Sequence, residues 1–174
     1  IKAHLSGEDL NLISSAFGVF PLPGVPFSTG GTVTYTQTGW QLADAHFTAD
    51  DLQLELNGNI DKLTPPINLQ TKFKLNTKNL AATLSNFKLD AGTLPGFPVT
   101  IEGALTGQPD KLSLHDLNIL SGDSQITLSG FLGDPMNPEP VDLSVGINTA
   151  DLLAFLPEVK SSLPATLPIN ATGS

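Results

Sequence analysis

The sequence predicts a mostly β protein: repeated antiparallel strands forming an elongated curled sheet or groove, with one short α-helix per repeat of about 72 residues. Three observations carry this. Apolar residues alternate with polar ones over short runs, the two-residue period of a strand with one buried face. Gly (16) and Pro (14) punctuate these runs, so the chain turns often. The pattern also repeats. Leu22-Pro23-Gly24-Val25-Pro26 returns 72 positions later as Leu94-Pro95-Gly96-Phe97-Pro98. Gln53-Leu54-Glu55-Leu56-Asn57-Gly58 returns at the same offset as Gln125-Ile126-Thr127-Leu128-Ser129-Gly130. Self-similarity of this kind marks a repeat architecture.

The expected organisation is a single elongated repeat segment over 1–174, a piece of a longer protein. It comprises the tail of one unit (1–21), two units (22–93 and 94–162) and the start of another (163–174), where Leu163-Pro164-Ala165 opens the next copy. Within a unit, a Pro-rich lead-in (Leu94 to Pro98) precedes a first strand with Val99, Ile101 and Leu105 on one face. Gln108-Pro109-Asp110 turns the chain. The second strand carries Leu112 and Leu114, then Leu117 and Ile119. Its parity switches at His115-Asp116, which predicts a β-bulge. The preceding unit switches around Asp44, between Leu42 and the pair Ala45 and Phe47. The third strand alternates through Ile126, Leu128 and Leu132, and the fourth through Val141, Leu143, Val145 and Ile147. A short helix follows, with Leu152, Leu153, Phe155 and Leu156 apolar and Pro157 closing it. Asn148 is expected to cap it, and Asn76 and Ser6 to cap its equivalents.

Composition excludes several functions. The net charge is −9, all eight basic residues are Lys, and Cys is absent. Disulfide and thiolate chemistry are therefore excluded. Nucleic acid is not an expected partner, because binding it needs a basic footprint. No run of eighteen apolar residues offers a membrane span.

Chemistry-bearing motifs reduce to structural ones. Gly122-Asp123-Ser124 lacks the Gly-x-Ser-x-Gly context of a nucleophile elbow, and Leu52 stands where Ser124 recurs. His4, His46 and His115 show no metal-ligand spacing. Asp44, Asp50 and Asp51 form no calcium loop. Pro23-Gly24-Val25-Pro26 lacks the basic neighbours of a docking motif. No catalytic residue, metal or cofactor is expected, and an enzyme is not.

The informative feature is the apolar stripe. Its candidate members are Leu52, Leu54, Leu56, Leu69, Phe73, Leu75, Val99, Ile101, Leu105, Leu112, Leu114, Leu117, Ile119, Ile126, Leu128, Val141, Leu143, Val145 and Ile147. Periodicity leaves two readings open: the core of a closed sandwich, or the lining of a groove open along its length. The first suits a structural spacer or adhesin-type stalk.

The segment Leu112 to Asp134, followed by Val141 to Pro157, resembles the AsmA-like family of Gram-negative bacteria. The shared pattern is an alternating strand, a Gly-Asp-Ser turn, a strand closing on Leu-Ser-Gly, a further strand and a short helix containing Asp-Leu. The first unit departs from it, with Ala49-Asp50-Asp51-Leu52 in place of the Gly-Asp-Ser turn. The resemblance implies a bridge-like lipid-transfer protein: a periplasmic β-groove with an apolar lining, and an inner-membrane anchor in the parent protein. The partner it implies is a phospholipid or other acyl-chain lipid, carried between inner and outer membrane or used in outer-membrane biogenesis.

Overall fold

A computed structural model of the chain describes residues 1–12, 22–61, 67–89, 96–108, 111–133, 142–150 and 169–173. Ten strands form one antiparallel sheet: β1 (Lys2–Gly7), β2 (Phe27–Thr36), β3 (Gly39–Ala49), β4 (Leu52–Ile60), β5 (Leu69–Thr77), β6 (Val99–Gln108), β7 (Lys111–Ser121), β8 (Ser124–Gly133), β9 (Asp142–Thr149) and β10 (Ile169–Gly173). Their spatial order is their chain order, and the sheet is not closed into a barrel. A helix, α1 (Leu80–Asn86), lies between β5 and β6. A second helical turn starts at residues 10–12, between β1 and β2.

The sequence repeat is also a backbone repeat. Leu54 pairs with Leu75 across β4 and β5, and Ile126 pairs with Ile147 across β8 and β9, each 72 positions on. The two parity switches are bulges, as the alternation predicts. Register slips between Leu42 and Ala45 on β3, and between Leu114 and Leu117 on β7. The residues inserted there, Asp44 (φ 53°) and Asp116 (φ 48°), are both left-handed. Asp tolerates that conformation better than most side chains. The β3–β4 and β7–β8 turns agree in the same way. Asp50 (φ 53°) takes the conformation of Gly122 (φ 55°), so the departure in the first unit changes the side chain and not the path.

The lead-in motif has a structural use. Val25 O accepts from Leu10 N at 3.0 Å, and Phe97 O accepts from Leu80 N at 3.2 Å. Each lead-in thus ties down the first turn of the helix before it. Pro26 and Pro98 then stop short of β2 and β6, where a missing N–H does no harm.

The helix caps differ from the expectation. Asn76 and Ser6 lie inside β5 and β1, and Asn148 lies inside β9. The cap of α1 is Asn79, whose Oδ1 accepts from Ala82 N at 2.9 Å. Asp9 acts equivalently before Leu10, accepting from Asn11 N at 2.8 Å. The reason is that β6 offers partners to β5 as far as Thr77, so ladder bonds hold Asn76 extended. Asn76 Oδ1 is also taken by Thr100 Oγ1, at 2.8 Å. The expected helix residues Leu152, Leu153, Phe155, Leu156 and Pro157 lie outside the described residues, as does Val141. Asn79→Ala is expected to lower stability by about 1 kcal/mol, measured by urea denaturation, while Asn76→Ala leaves the helix cap intact.

Most of the buried apolar side chains sit at one end of the strands, while Leu114, at 7% exposure on β7, lies well along from it. Leu10, Phe27 and Ala49 are buried at 3%, 7% and 1% exposure, with Leu22, Val25, Phe47 and Phe87 packed around them. Val99, at 2%, occupies the repeat position of Phe27. The helical turn at residues 10–12 and α1 connect strands at this end.

Candidate functional site: the apolar face of the sheet

Strand register decides which side chains share a face, because directly paired residues point the same way. Following the pairs from β4, Leu54 and Leu56 meet Leu75 and Phe73 on β5. These meet Ile101 and Gly103 on β6. Ile101 meets Ile119 on β7, and Leu105 meets Leu114. Leu117 and Ile119 meet Leu128 and Ile126 on β8, which meet Val145 and Ile147 on β9. Leu52, Leu69, Val99, Leu112 and Leu143 fall on the same face by the same pairing. Every candidate residue within the described parts therefore lies on one continuous face. The bulge on β7 is needed for this. Without the residue inserted at Asp116, Leu112 and Leu114 would lie opposite Leu117 and Ile119.

The face extends further than the candidate list. Phe27, Val33, Trp40, Leu42, Ala45 and Phe47 on β2 and β3 join it, as does Ile60. Alternation was visible there, but the Thr and Gly of β2 dilute it. The opposite face is polar: Gln53, Glu55, Asn57, Lys72, Lys74 and Glu102 occupy the intervening positions.

Two layers would bury such a face. Here they do not, among the described residues. Buried hydrophobics are limited to Leu10, Phe27, Ala49, Val99 and Leu114. Leu54, Leu56, Phe73, Leu75, Ile101, Ile119, Ile126, Leu128, Val145 and Ile147 are half-buried, each flanked by its neighbours but open outward. At three places on this face a large side chain is set across from a glycine: Leu42 from Gly58, Phe73 from Gly103, Leu114 from Gly130. Bending toward a face crowds its side chains, and glycine relieves the crowding; bulges bend the strands that carry them.

A depression of about 350 Å³ lies on this face, lined by Val33, Trp40, Leu42, Leu56, Ile60 and Leu69, with almost no polar wall. That volume falls at the lower end of ligand pockets. Tyr35 leans on Trp40 at its rim, ring centroids 5.0 Å apart. Depressions of similar size on the polar face, such as that among Glu55, Lys72, Lys74 and Glu102, are gaps between extended charged side chains.

The residues whose motifs suggest catalysis or metal binding have structural partners. Ser124 opens β8, and its Oγ lies 2.6 Å from Thr149 Oγ1. His115 Nε2 lies 2.7 Å from Thr106 Oγ1 on the polar face. Asp50 Oδ2 accepts from Asn86 Nδ2 at 3.0 Å, linking the β3–β4 turn to α1. Asp51 pairs with Lys78 at 3.2 Å. Among the described residues no helix is long and apolar enough to cross a membrane.

No family model, curated protein or solved structure matches the chain.

Proposed function

We propose that this chain is a lipid-sheltering segment of an AsmA-like periplasmic protein, in which the apolar face of the sheet holds phospholipid acyl chains on their way between inner and outer membrane. The parent protein is anchored in the inner membrane in this reading, and the segment performs no catalysis. The observation that carries it is the half-buried apolar face, continuous from β2 to β9 with no second layer over it among the described residues. Leaving that much apolar surface in water is unfavourable, and an exposed patch of this extent marks an interaction surface.

The physics suits an acyl chain better than a compact ligand. Each methylene transferred from water to the wall contributes about 0.8 kcal/mol without any directional contact. Ten strands span about 43 Å at roughly 4.8 Å per interval, more than the ~15 Å depth of one leaflet's hydrocarbon. A chain lying across the strands meets nearly the same wall at each repeat, so successive positions are close in energy and sliding is easy. Headgroups remain in water. A chain of net charge −9 without Arg provides no fork for a phosphate.

Trp40, the single Trp, lines the depression and reports on occupancy directly. Titration with phospholipid brominated on its acyl chains is expected to quench Trp40 emission saturably, with the unbrominated lipid competing. A structural spacer predicts no quenching at any lipid concentration, and that result overturns the proposal.

A further inference from the structure

His4 and His46 are 42 positions apart in the chain and show no ligand spacing in the sequence. The sheet brings them together. Both pair with Gly30, His4 from β1 and His46 from β3, so they flank one glycine on the polar face. Because Gly30 has no side chain, the two imidazoles lean in over it, ring centroids 6.2 Å apart. The point where a Gly30 Cβ would stand is 3.1 Å from His4 Nδ1 and 3.1 Å from His46 Nε2. One nitrogen of each ring, with His46 Cε1 at 2.8 Å, thus borders one small space.

The hydrogen bonding of His46 suits a ligand. Its Nδ1 lies 3.1 Å from the carbonyl oxygen of Asp44, the left-handed residue of the bulge. A carbonyl only accepts, so Nδ1 donates here, and in the neutral ring that leaves Nε2, 3.1 Å from the point over Gly30, as the nitrogen able to ligate. Imidazoles that bind metals are oriented in this way, by donating the second ring N–H to a carbonyl or carboxylate. Glu55 stands directly opposite His46 on β4, with Cβ atoms about 5 Å apart by cross-strand geometry. Among the described residues no three His, Asp or Glu side chains are already gathered for a metal, so the carboxylate must swing in from its exposed position.

We propose that His4 and His46 form a two-imidazole site for a borderline divalent cation such as Zn²⁺ over Gly30, with Glu55 as a third arm and water completing the shell. Imidazole and carboxylate are the donors that Zn²⁺ accepts at about 2.0–2.2 Å. Small rotations of two exposed rings bring the nitrogens to that distance. The cation would join β1, an edge strand, to β3 across the intervening β2, and so secure that edge of the sheet.

The test is calorimetric titration of the intact chain with ZnCl₂ at neutral pH, with thermal unfolding in parallel. One Zn²⁺ per chain is expected to bind and to raise the unfolding temperature. His4→Ala and His46→Ala should each weaken binding at least tenfold, since losing even an outer-shell partner of a metal ligand costs 10–100-fold. Both side chains are exposed, so the variants should fold, which circular dichroism checks. His115→Ala, which removes a histidine from the same face, should leave binding unchanged. Absence of binding, binding unaffected by either ligand variant, or an equal loss with His115→Ala overturns the proposal.

Discussion

Leu56→Glu is expected to weaken acyl-chain binding at least tenfold while leaving the sheet folded. Leu56 lines the apolar depression and pairs with Ala45 and Phe73 on its two sides. A carboxylate there must be desolvated beneath a bound chain. That penalty exceeds the ~1.4 kcal/mol that corresponds to tenfold in affinity. In the empty groove the same carboxylate reaches water, so the folding loss is limited to the transfer energy of one Leu, below about 3 kcal/mol. A closed sandwich reverses the two results, because a charge locked in a dry core would unfold the protein. Brominated-lipid quenching of Trp40, read beside a urea melt of the same variant, separates the two. Intact binding, or outright unfolding, would count against the open groove.

Gly130→Ala is expected to destabilise the fold by about 3 kcal/mol or more. Gly130 adopts φ +141°, a region nearly closed to other residues, and its strain alone is about 1–3 kcal/mol for a side chain. An added Cβ would also meet the Asp142 carbonyl oxygen at 2.1 Å, a fixed backbone atom of the paired strand. Relief would require β8 and β9 to part. Gly122→Ala, in a turn with open space around it, carries only the cost of a left-handed alanine, about 1–2 kcal/mol. Chemical denaturation of the two variants gives the comparison, and equal losses would contradict it.

Much of the architecture was legible because alternation and repetition agree. The break in parity at Asp44 and Asp116 located both bulges. Those bulges explain how Leu114 and Leu117 come to share a face. The caps were misread for a definite reason. Asn76 and Asn79 are equally good capping residues, and the choice between them is made by how far β6 accompanies β5, which is a tertiary matter. The β2–β3 part of the groove was underestimated because its wall is built from Val33, Trp40 and Ala45 among Thr and Gly rather than from a run of Leu. Whether the apolar face is covered could not be read from periodicity. Leu128 in a sandwich and Leu128 in a groove leave the same trace, and only the number of layers separates them.

The strictly consecutive strand order carries a consequence for cooperativity. Each strand's main contacts are with its neighbours in the chain. Stability is then close to a sum of nearest-neighbour couplings along one dimension, as in an Ising chain. Melting in such an array starts at the rims and travels inward, so its centre persists longest. Length becomes an adjustable variable: a further 72-residue copy extends the array without disturbing the contacts already made.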